Sequence, residues 1–180
     1  MGGKYILFIA VVFSIICTAC SGQKEKTGGG GEKGGAYGYS GDRKYNVFYL
    51  MHGGWSDETT YLGTPENPNV LVNVIDHAIQ DGKMGPVIVV CPTYNNENPD
   101  DSADYSLALQ LTDNYHNELV NDLIPAVEGT YRTYAEGTSA QALEASRDHR
   151  AFAGFSMGSV ATWHTFQYCL DYFLVFAGWH

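Results

Sequence analysis

Residues 154–158 read Gly-Phe-Ser-Met-Gly and place Ser156 in a G-x-S-x-G pattern. An apolar run at residues 150–155 precedes the serine and a helix-forming run follows it. A serine on a sharp strand-to-helix turn projects its hydroxyl from the edge of a sheet, and only small flanking residues permit that turn. The pattern therefore predicts that Ser156 is the nucleophile of an acyl transfer, with a purely structural tight turn as the alternative.

An acyl-transfer serine needs two backbone N–H groups that stabilise the oxyanion. The first is predicted at Met157, the residue directly after the serine, with the helix behind it pointing its N-terminal amides toward the oxyanion. The second is predicted at Gly54, within the His-Gly-Gly-Trp run at residues 52–55, because glycine lets the backbone approach the substrate closely. We expect His52 to order this turn rather than to take a proton. A plain glycine turn at a strand end is the alternative.

The surrounding pattern predicts the elements that position these groups. Apolar runs bounded by turn residues predict strands, and apolar residues at helical spacing predict helices, with Pro125 kinking or ending one of them. The strands are expected at residues 45–51, 86–92, 150–155 and 173–179, and the helices at 70–81, 115–128 and 160–172. Strands alternating with helices predict a mostly parallel α/β sheet with helices on both faces.

Four polar or aromatic residues follow the first two strands, where ligands bind in open α/β sheets. They are Trp55, Asp57, Tyr94 and Asn95, all predicted to bind substrate. The ring of Trp55 could stack on a sugar or on an aromatic acyl group, or could simply pack the loop. The sequence shows no metal-ligand spacing, so neither a metal nor a cofactor is predicted.

The N-terminus resembles an export signal. Lys4 precedes an apolar run at residues 5–16, and Cys20 follows a short stretch of small residues. We expect residues 1–20 to be a lipoprotein-type signal peptide with lipidation at Cys20, and plain secretion or a retained membrane anchor are the alternatives. The Gly-rich residues 21–41 are predicted to form a flexible tether. The protein is therefore expected outside the cytoplasm, held to a membrane only by lipid.

Length and composition limit the number of domains, the kinds of ligand and the state of the cysteines. A chain of 180 residues has room for one sizeable domain, predicted at residues 42–180. The net charge of the whole chain, −10, disfavours nucleic-acid binding because phosphate backbones are repelled. Cys91 and Cys169 are expected to be buried free thiols rather than a disulfide.

Several stretches resemble the feruloyl and acetylxylan esterase family, carbohydrate esterases related to esterase D and the mycolyltransferases. The similar stretches are residues 44–60 (KYNVFYLMHGGWSDETT), 89–96 (VVCPTYNN), 121–125 and 149–163 (HRAFAGFSMGSVATW), within a match over residues 39–173. The resemblance implies an α/β-hydrolase fold. It further implies removal of feruloyl or acetyl groups from plant cell-wall polysaccharide such as xylan, or from small esters.

In that family the acid and the histidine follow the nucleophile on later loops, so the sheet is expected to be incomplete at the C-terminus. His180 is expected at the wrong end of the sheet, because a helix separates it from Ser156, and His149 and His164 are expected to be structural. Turnover should then be weak or undetectable, in a fragment of a working esterase or in a short protein with an incomplete sheet. The alternative functions are an acyltransferase and a catalytically inactive surface lipoprotein that binds polysaccharide.

Overall fold

The computed structural model describes Ile15–Ile16 and residues 39–180, and its centre is a five-stranded sheet. The strands are β1 (Ile15–Ile16), β2 (Asn46–Met51), β5 (Val87–Val90), β6 (Arg150–Phe155) and β7 (Val175–Trp179), with a separate hairpin of β3 (Gly63–Thr64) and β4 (Asn67–Pro68). Their order in the sheet is β1-β5-β2-β6-β7. The strands β5, β2, β6 and β7 are parallel, and β1 pairs antiparallel with β5.

Within the described residues, five α-helices connect the strands. They are α1 (Val70–Gln80), α2 (Tyr105–Glu118), α3 (Ile124–Thr130), α4 (Ala140–Ala145) and α5 (Met157–Tyr168). A π-helical turn, Leu119–Leu123, joins α2 to α3, and short 3₁₀ turns lie at Asp101–Ala103 and Arg147–His149.

Successive residues of the central strands enter two different cores, as the two-residue period of a strand requires. One face of the sheet packs against α2, α3 and α5 through Val47, Tyr49, Met51, Ile88 and Val90. The other face packs against α1 through Leu50, Val87 and Val89. The predicted parallel α/β sheet with helices on both faces is therefore confirmed.

Two helix boundaries differ from the predictions. The helix α2 begins at Tyr105 rather than at residue 115, because the Asp104 carboxylate caps it by accepting the Leu107 N–H at 3.0 Å. The helix α5 begins at Met157, directly after Ser156, rather than at residue 160. The helical run is interrupted before Pro125, as predicted, by the π-helical turn. The helix α4 was not predicted.

Most of the expected export segment lies outside the described residues. This holds for the signal peptide at 1–20, apart from Ile15–Ile16, and for the tether at 21–41, apart from its last three residues. Within the described part of the chain, no helix is long and apolar enough to cross a membrane. Cleavage, lipidation at Cys20 and the tether stay predictions.

Cys91 and Cys169 are free and buried, which confirms the prediction for this pair. Burial raises the pKa of the Cys91 thiol to about 12 and that of the Cys169 thiol to about 11. Both side chains therefore stay protonated at neutral pH and pack as small apolar groups.

A buried polar cluster, which we call the amino-end cluster, lies where the parallel strands begin. Arg150, the first residue of β6, donates through Nε to the carboxylate of Glu128, and both side chains are 1% exposed. Further bonds run from Arg150 to the carbonyls of Leu143 (2.6 Å) and Tyr172 (2.9 Å) and to the Ser146 hydroxyl, and from Thr133 to Glu128 (2.7 Å). The cluster ties β6 to the segments around α3, α4 and α5.

Candidate active site

Ser156 lies on the turn between β6 and α5 in a strained backbone conformation. Its φ is 56° and its ψ is −118°, in a region that non-glycine residues rarely occupy. The Ser156 N–H donates to the carbonyl of Trp179 at 2.9 Å, which ties the turn to the end of β7. The strand–turn–helix context predicted for the serine motif is therefore present, with the serine half-buried.

The two glycines of the motif are required by close packing. A Cβ on Gly154 would lie 2.3 Å from the carbonyl oxygen of Gly158, and a Cβ on Gly158 would lie 2.2 Å from that of Met51. Neither distance is tolerable for a side chain, because the opposing atoms belong to the backbone. The start of α5 is thus pressed onto the ends of β6 and β2, and this contact holds the Ser156 turn.

The loop after β2 borders the serine directly. A Cβ on Gly53 would lie 3.3 Å from the Ser156 Cβ and 3.2 Å from the Phe155 carbonyl oxygen. Gly54 is the next residue along this loop, and Met157 is the first residue of α5. The N–H of a first helical residue has no partner within its own helix. The two residues predicted to form the oxyanion hole therefore flank Ser156, and their role in catalysis stays a prediction.

His52 and Tyr94 lie beneath this loop with their rings stacked at 4.6 Å. The His52 Nδ1 is 2.7 Å from the Gly53 carbonyl oxygen, its Nε2 is 2.7 Å from the Thr93 hydroxyl, and the Tyr94 hydroxyl donates to the same Gly53 carbonyl at 2.9 Å. Burial lowers the pKa of His52, which favours a neutral ring. The prediction that His52 orders the turn is confirmed.

Trp55 and Asp57 lie at the surface, as substrate contacts would have to. Trp55 is 73% exposed and has a φ of 54°, with its N–H bonded to the Ser102 carbonyl at 3.1 Å. The two residues line a small open pocket of about 160 Å³, together with Asp100 and Ala103. The Asp57 carboxylate also accepts the N–H and the hydroxyl of Thr59, an ordinary turn interaction. Substrate binding by this pair stays a prediction.

The other two predicted substrate residues are engaged within the protein. Tyr94 is 3% exposed, and its hydroxyl is occupied by Gly53. Asn95 donates to the carbonyls of Ser56 (3.1 Å) and Pro99 (2.7 Å) and accepts from the Ser102 N–H (2.8 Å). These bonds give Tyr94 and Asn95 supporting positions below and beside the surface loop, which disfavours direct contact with substrate.

Asp101 organises the loop that holds Asn95, a role that the sequence did not reveal. One carboxylate oxygen accepts the backbone N–H groups of residues 96, 97 and 98 at 2.9–3.2 Å. These bonds lower the pKa of Asp101. An Asp at the end of a polar loop can accept backbone N–H groups three to five residues before it, which is a local signal. Such an Asp occurs in many polar loops, so the signal is not specific.

Three further histidines, His149, His164 and His180, were expected to lie away from the Ser156 hydroxyl. His149 packs flat on Tyr134 and bonds Asn46 at 2.7 Å, and His164 is 3.2 Å from Asp113 on α2. Both are structural, as predicted. The expectation for His180 was wrong: β7 runs parallel to β6, and Phe155 pairs with Trp179. His180 therefore follows the same end of the sheet as Ser156, because α5 and β7 together make a full crossover.

No metal site is visible among residues 39–180 and Ile15–Ile16: no group of three or more His, Cys, Asp or Glu side chains there could hold an ion. The Ser156 hydroxyl makes no hydrogen bond to a histidine within the same part of the chain. The described site thus consists of a serine, backbone amides and a buried support layer.

A parallel sheet between helices, with a serine on a strained turn where a strand meets a helix, defines the α/β-hydrolase class. The resemblance stated from the sequence is also confirmed. The chain belongs to the esterase family whose description reads "Putative esterase", which matches residues 35–176.

Curated relatives are xylan-degrading enzymes. The chain is 44% identical to endo-1,4-beta-xylanase Y of Acetivibrio thermocellus over 140 residues, which cover 78% of this chain and 12% of that protein. It is 30% identical to an endo-1,4-beta-xylanase/feruloyl esterase of Xylanibacter ruminicola over 119 residues, which cover 66% of this chain and 14% of that protein. The chain therefore spans a small part of each relative.

Solved structures give the same family. A serine-to-alanine mutant of the feruloyl esterase module from Clostridium thermocellum, complexed with sinapinate, is 42% identical with a TM-score of 0.64, covering 77% of this chain and 44% of that one. The ferulic acid esterase of Anaeromyces mucronatus, at 24% identity and a TM-score of 0.54, covers 76% of this chain and 46% of that one. The latter likeness concerns the fold alone.

Proposed function

We propose that this domain is an exported serine carboxylic-ester hydrolase that removes feruloyl or acetyl groups from xylan through an acyl-enzyme on Ser156. The observation that carries the proposal is the strained Ser156 turn, with φ of 56°, pressed against the Gly53 backbone. Strain of this kind persists only where the surrounding structure imposes it, and it clusters at catalytic positions.

In the proposed reaction the Ser156 hydroxyl attacks the ester carbonyl carbon. The carbonyl oxygen becomes an oxyanion that accepts the N–H groups of Met157 and Gly54, and the alcohol leaves with a proton as the acyl-enzyme forms. Water then attacks the acyl-enzyme, which releases the acid and restores the serine hydroxyl. The proposal assigns the nucleophile and the oxyanion donors, and leaves the general base unassigned.

The choice of acyl group draws on the relatives and on Trp55. The feruloyl esterase module that is 42% identical to this chain was solved with sinapinate, which supports an aromatic acyl group. The exposed Trp55 ring stands one residue beyond Gly54 and offers a face for stacking. The Trp55→Ala variant should therefore bind methyl ferulate more weakly than the wild type does. Its affinity for a small acetate ester should change little.

Export and anchoring are proposed from the N-terminal pattern. Lipidation at Cys20 predicts that the expressed protein partitions with membranes and incorporates labelled palmitate, and that Cys20→Ser abolishes the label. Label that persists in Cys20→Ser would contradict the assignment of the acylated residue.

The enzymatic proposal is tested with the full chain and 4-nitrophenyl acetate. We expect acetylation of Ser156, detected by peptide mass, and its complete loss in Ser156→Ala. Steady-state turnover should be weak. Two described histidines follow strands at the end of the sheet where a base would act, and one of them, His52, is buried with both ring nitrogens bonded to Gly53 and Thr93, which leaves His180 as the available base among the described residues. Acetylation that survives in Ser156→Ala would overturn the proposal.

The variant His180→Gln tests whether His180 acts as the general base in any turnover that is observed. If the chain hydrolyses the ester at a rate within about tenfold of a complete family member, the expectation of weak turnover is wrong. A loss of that rate in His180→Gln, with Ser156 acetylation by a high ester concentration retained, would then assign the base to His180.

A further inference from the structure

The carbonyl of Gly53 is held from beneath by two side chains. The Tyr94 hydroxyl donates to its oxygen at 2.9 Å, and the His52 Nδ1 lies at 2.7 Å from the same oxygen. A carbonyl oxygen only accepts, so the His52 Nδ1 carries the proton. The two bonds together occupy the acceptor positions of this one oxygen, and we call the pair of side chains the carbonyl clamp.

A clamp on this carbonyl also fixes the neighbouring N–H. The Gly53 carbonyl and the Gly54 N–H belong to one planar trans peptide, in which the C=O and N–H bonds point in opposite directions. Holding the oxygen down toward the buried rings of His52 and Tyr94 therefore turns the Gly54 N–H away from them. A Gly-Gly pair has the widest conformational freedom of any dipeptide, so it needs an outside restraint to keep one orientation.

We propose that Tyr94 and His52 are positioning residues that clamp the Gly53 carbonyl and so aim the Gly54 N–H at the oxyanion formed on the Ser156 substrate. The inference rests on the proposed function and deepens it. Gly53 borders Ser156 closely, since a Cβ on it would lie 3.3 Å from the Ser156 Cβ, so a rotation of this peptide would displace a donor beside the reacting atoms.

Thr93 fixes the histidine tautomer that the clamp needs. Its hydroxyl oxygen is 2.7 Å from the His52 Nε2 and accepts the Asn95 N–H at 3.1 Å. With the proton on Nδ1, Nε2 is an acceptor, and the Thr93 hydroxyl donates to it. The chain of bonds thus runs from the Asn95 backbone through Thr93 and His52 to Gly53.

The first test compares Tyr94→Phe with Tyr61→Phe in the full chain. Both changes delete a phenol hydroxyl that donates to a carbonyl, at Gly53 in the first variant and at Met51 (3.3 Å) in the second. We expect Tyr94→Phe to slow acetylation of Ser156 at saturating ester by about tenfold with KM unchanged, a fraction of the loss caused by removing an oxyanion donor outright. Tyr61→Phe should acetylate at nearly the wild-type rate.

A merely structural role for Tyr94 would give a different result. It would lower the melting temperature of Tyr94→Phe while the acetylation rate of the remaining folded protein stayed at that of Tyr61→Phe, and this outcome overturns the proposal. An effect confined to KM overturns it as well, because an oxyanion donor acts in the transition state rather than in ester binding.

The second test needs no enzymatic activity. With glycine labelled at both its carbonyl carbon and its nitrogen, an NMR experiment that correlates an N–H with the preceding carbonyl detects Gly-Gly pairs, and Gly53–Gly54 is the pair within residues 39–180. We expect Tyr94→Phe to shift the carbonyl signal of Gly53 toward the value of a carbonyl that accepts only one hydrogen bond. The N–H signal of Gly54 should change as well. Signals that match those of Tyr61→Phe overturn the clamp. If wild-type Ser156 is not acetylated, the proposed function fails and this measurement alone decides whether the clamp exists.

Discussion

The two ends of strand β6 differ in almost every physical respect. At its amino end, Arg150 and Glu128 form an ion pair whose side chains are both 1% exposed. At its carboxyl end, Ser156 is half-buried on a strained turn supported by backbone contacts and by neutral hydrogen bonds to the Gly53 loop. Within one strand of six residues, Arg150–Phe155, the chain passes from a charged, closed cluster to an open site built of backbone.

The contrast indicates two tasks: the amino end stabilises the fold, and the carboxyl end holds the geometry of the serine turn. The amino-end cluster connects distant segments of the chain, and a buried pair that loses one partner leaves an uncompensated charge at large cost. The carboxyl end instead holds a strained geometry that would relax if its neighbours allowed it. We therefore expect changes at the amino end to affect stability and changes at the carboxyl end to affect acyl transfer, with an overlap where the two ends share packing.

The largest stability effect is expected from Glu128→Gln. The change leaves the Arg150 guanidinium buried beside a neutral amide, so the free energy of unfolding should fall by about 3 kcal/mol. Urea denaturation monitored by fluorescence measures it. Glu136→Gln is the matched control, because the Lys44–Glu136 pair is exposed and should contribute little.

Equal midpoints for the two glutamine variants would break the comparison between the ends of β6. Acetylation of Ser156 in folded Glu128→Gln should stay close to the wild-type rate, since the cluster lies at the opposite end of the strand. A large loss of acetylation in the folded variant would show that the two ends are coupled.

Gly158→Ala should have an intermediate effect and mark where the two tasks overlap. The new methyl group would lie 2.2 Å from the Met51 carbonyl oxygen, so α5 must move away from β2. We expect about 2 kcal/mol of destabilisation together with loss of Ser156 acetylation. Gly85→Ala is the control, because nothing lies within 4 Å of the Cβ position there. Full acetylation in Gly158→Ala would mean that the turn does not depend on this contact.

The smallest effect is expected from Asp101→Asn and concerns pH. Backbone hydrogen bonds hold the pKa of Asp101 below its ordinary value of 3.8 in the folded protein, so its contribution to stability is present above that value and is lost as the pH falls through the folded pKa. Below about pH 4, the wild type should therefore lose stability more steeply than Asp101→Asn. The measurement is the urea midpoint at several acidic pH values.

Glu66→Gln, at an exposed carboxylate between β3 and β4, controls for general acid effects. Identical acid profiles for wild type and Asp101→Asn would show that the loop beside Trp55 does not depend on this carboxylate.

Local patterns predicted the parts of the site that adjacent residues build. The serine turn was predicted because an apolar strand, two glycines and a helix follow one another within a few residues. The limits of strand β6 at residues 150–155 and the alternation of strands and helices along the chain were also predicted, since strand and helix periods differ. The start of α2 was missed, because the run after Asp104 mixes polar and apolar residues and its cap is a single side chain.

Contacts between residues that are distant in the chain could not be predicted from the sequence. Arg150 and Glu128 are 22 residues apart, and neither position alone predicts an ion pair in the core. Tyr94 was expected to face the substrate, whereas its hydroxyl meets Gly53, 41 residues earlier. His180 was expected at the wrong end of the sheet, because counting one helix after Ser156 ignored the return along β7.

The sequence by itself determined the strand–turn–helix at Ser156, the glycines around it and the alternation of strands and helices, because each depends on steric rules that act over a few neighbouring residues. Only the tertiary structure decided which polar side chains bury themselves as supports and which remain at the surface. The reason is that burial and hydrogen bonding depend on which segments meet across the sheet, and strands that are neighbours in space, such as β2 and β6, are far apart in the chain.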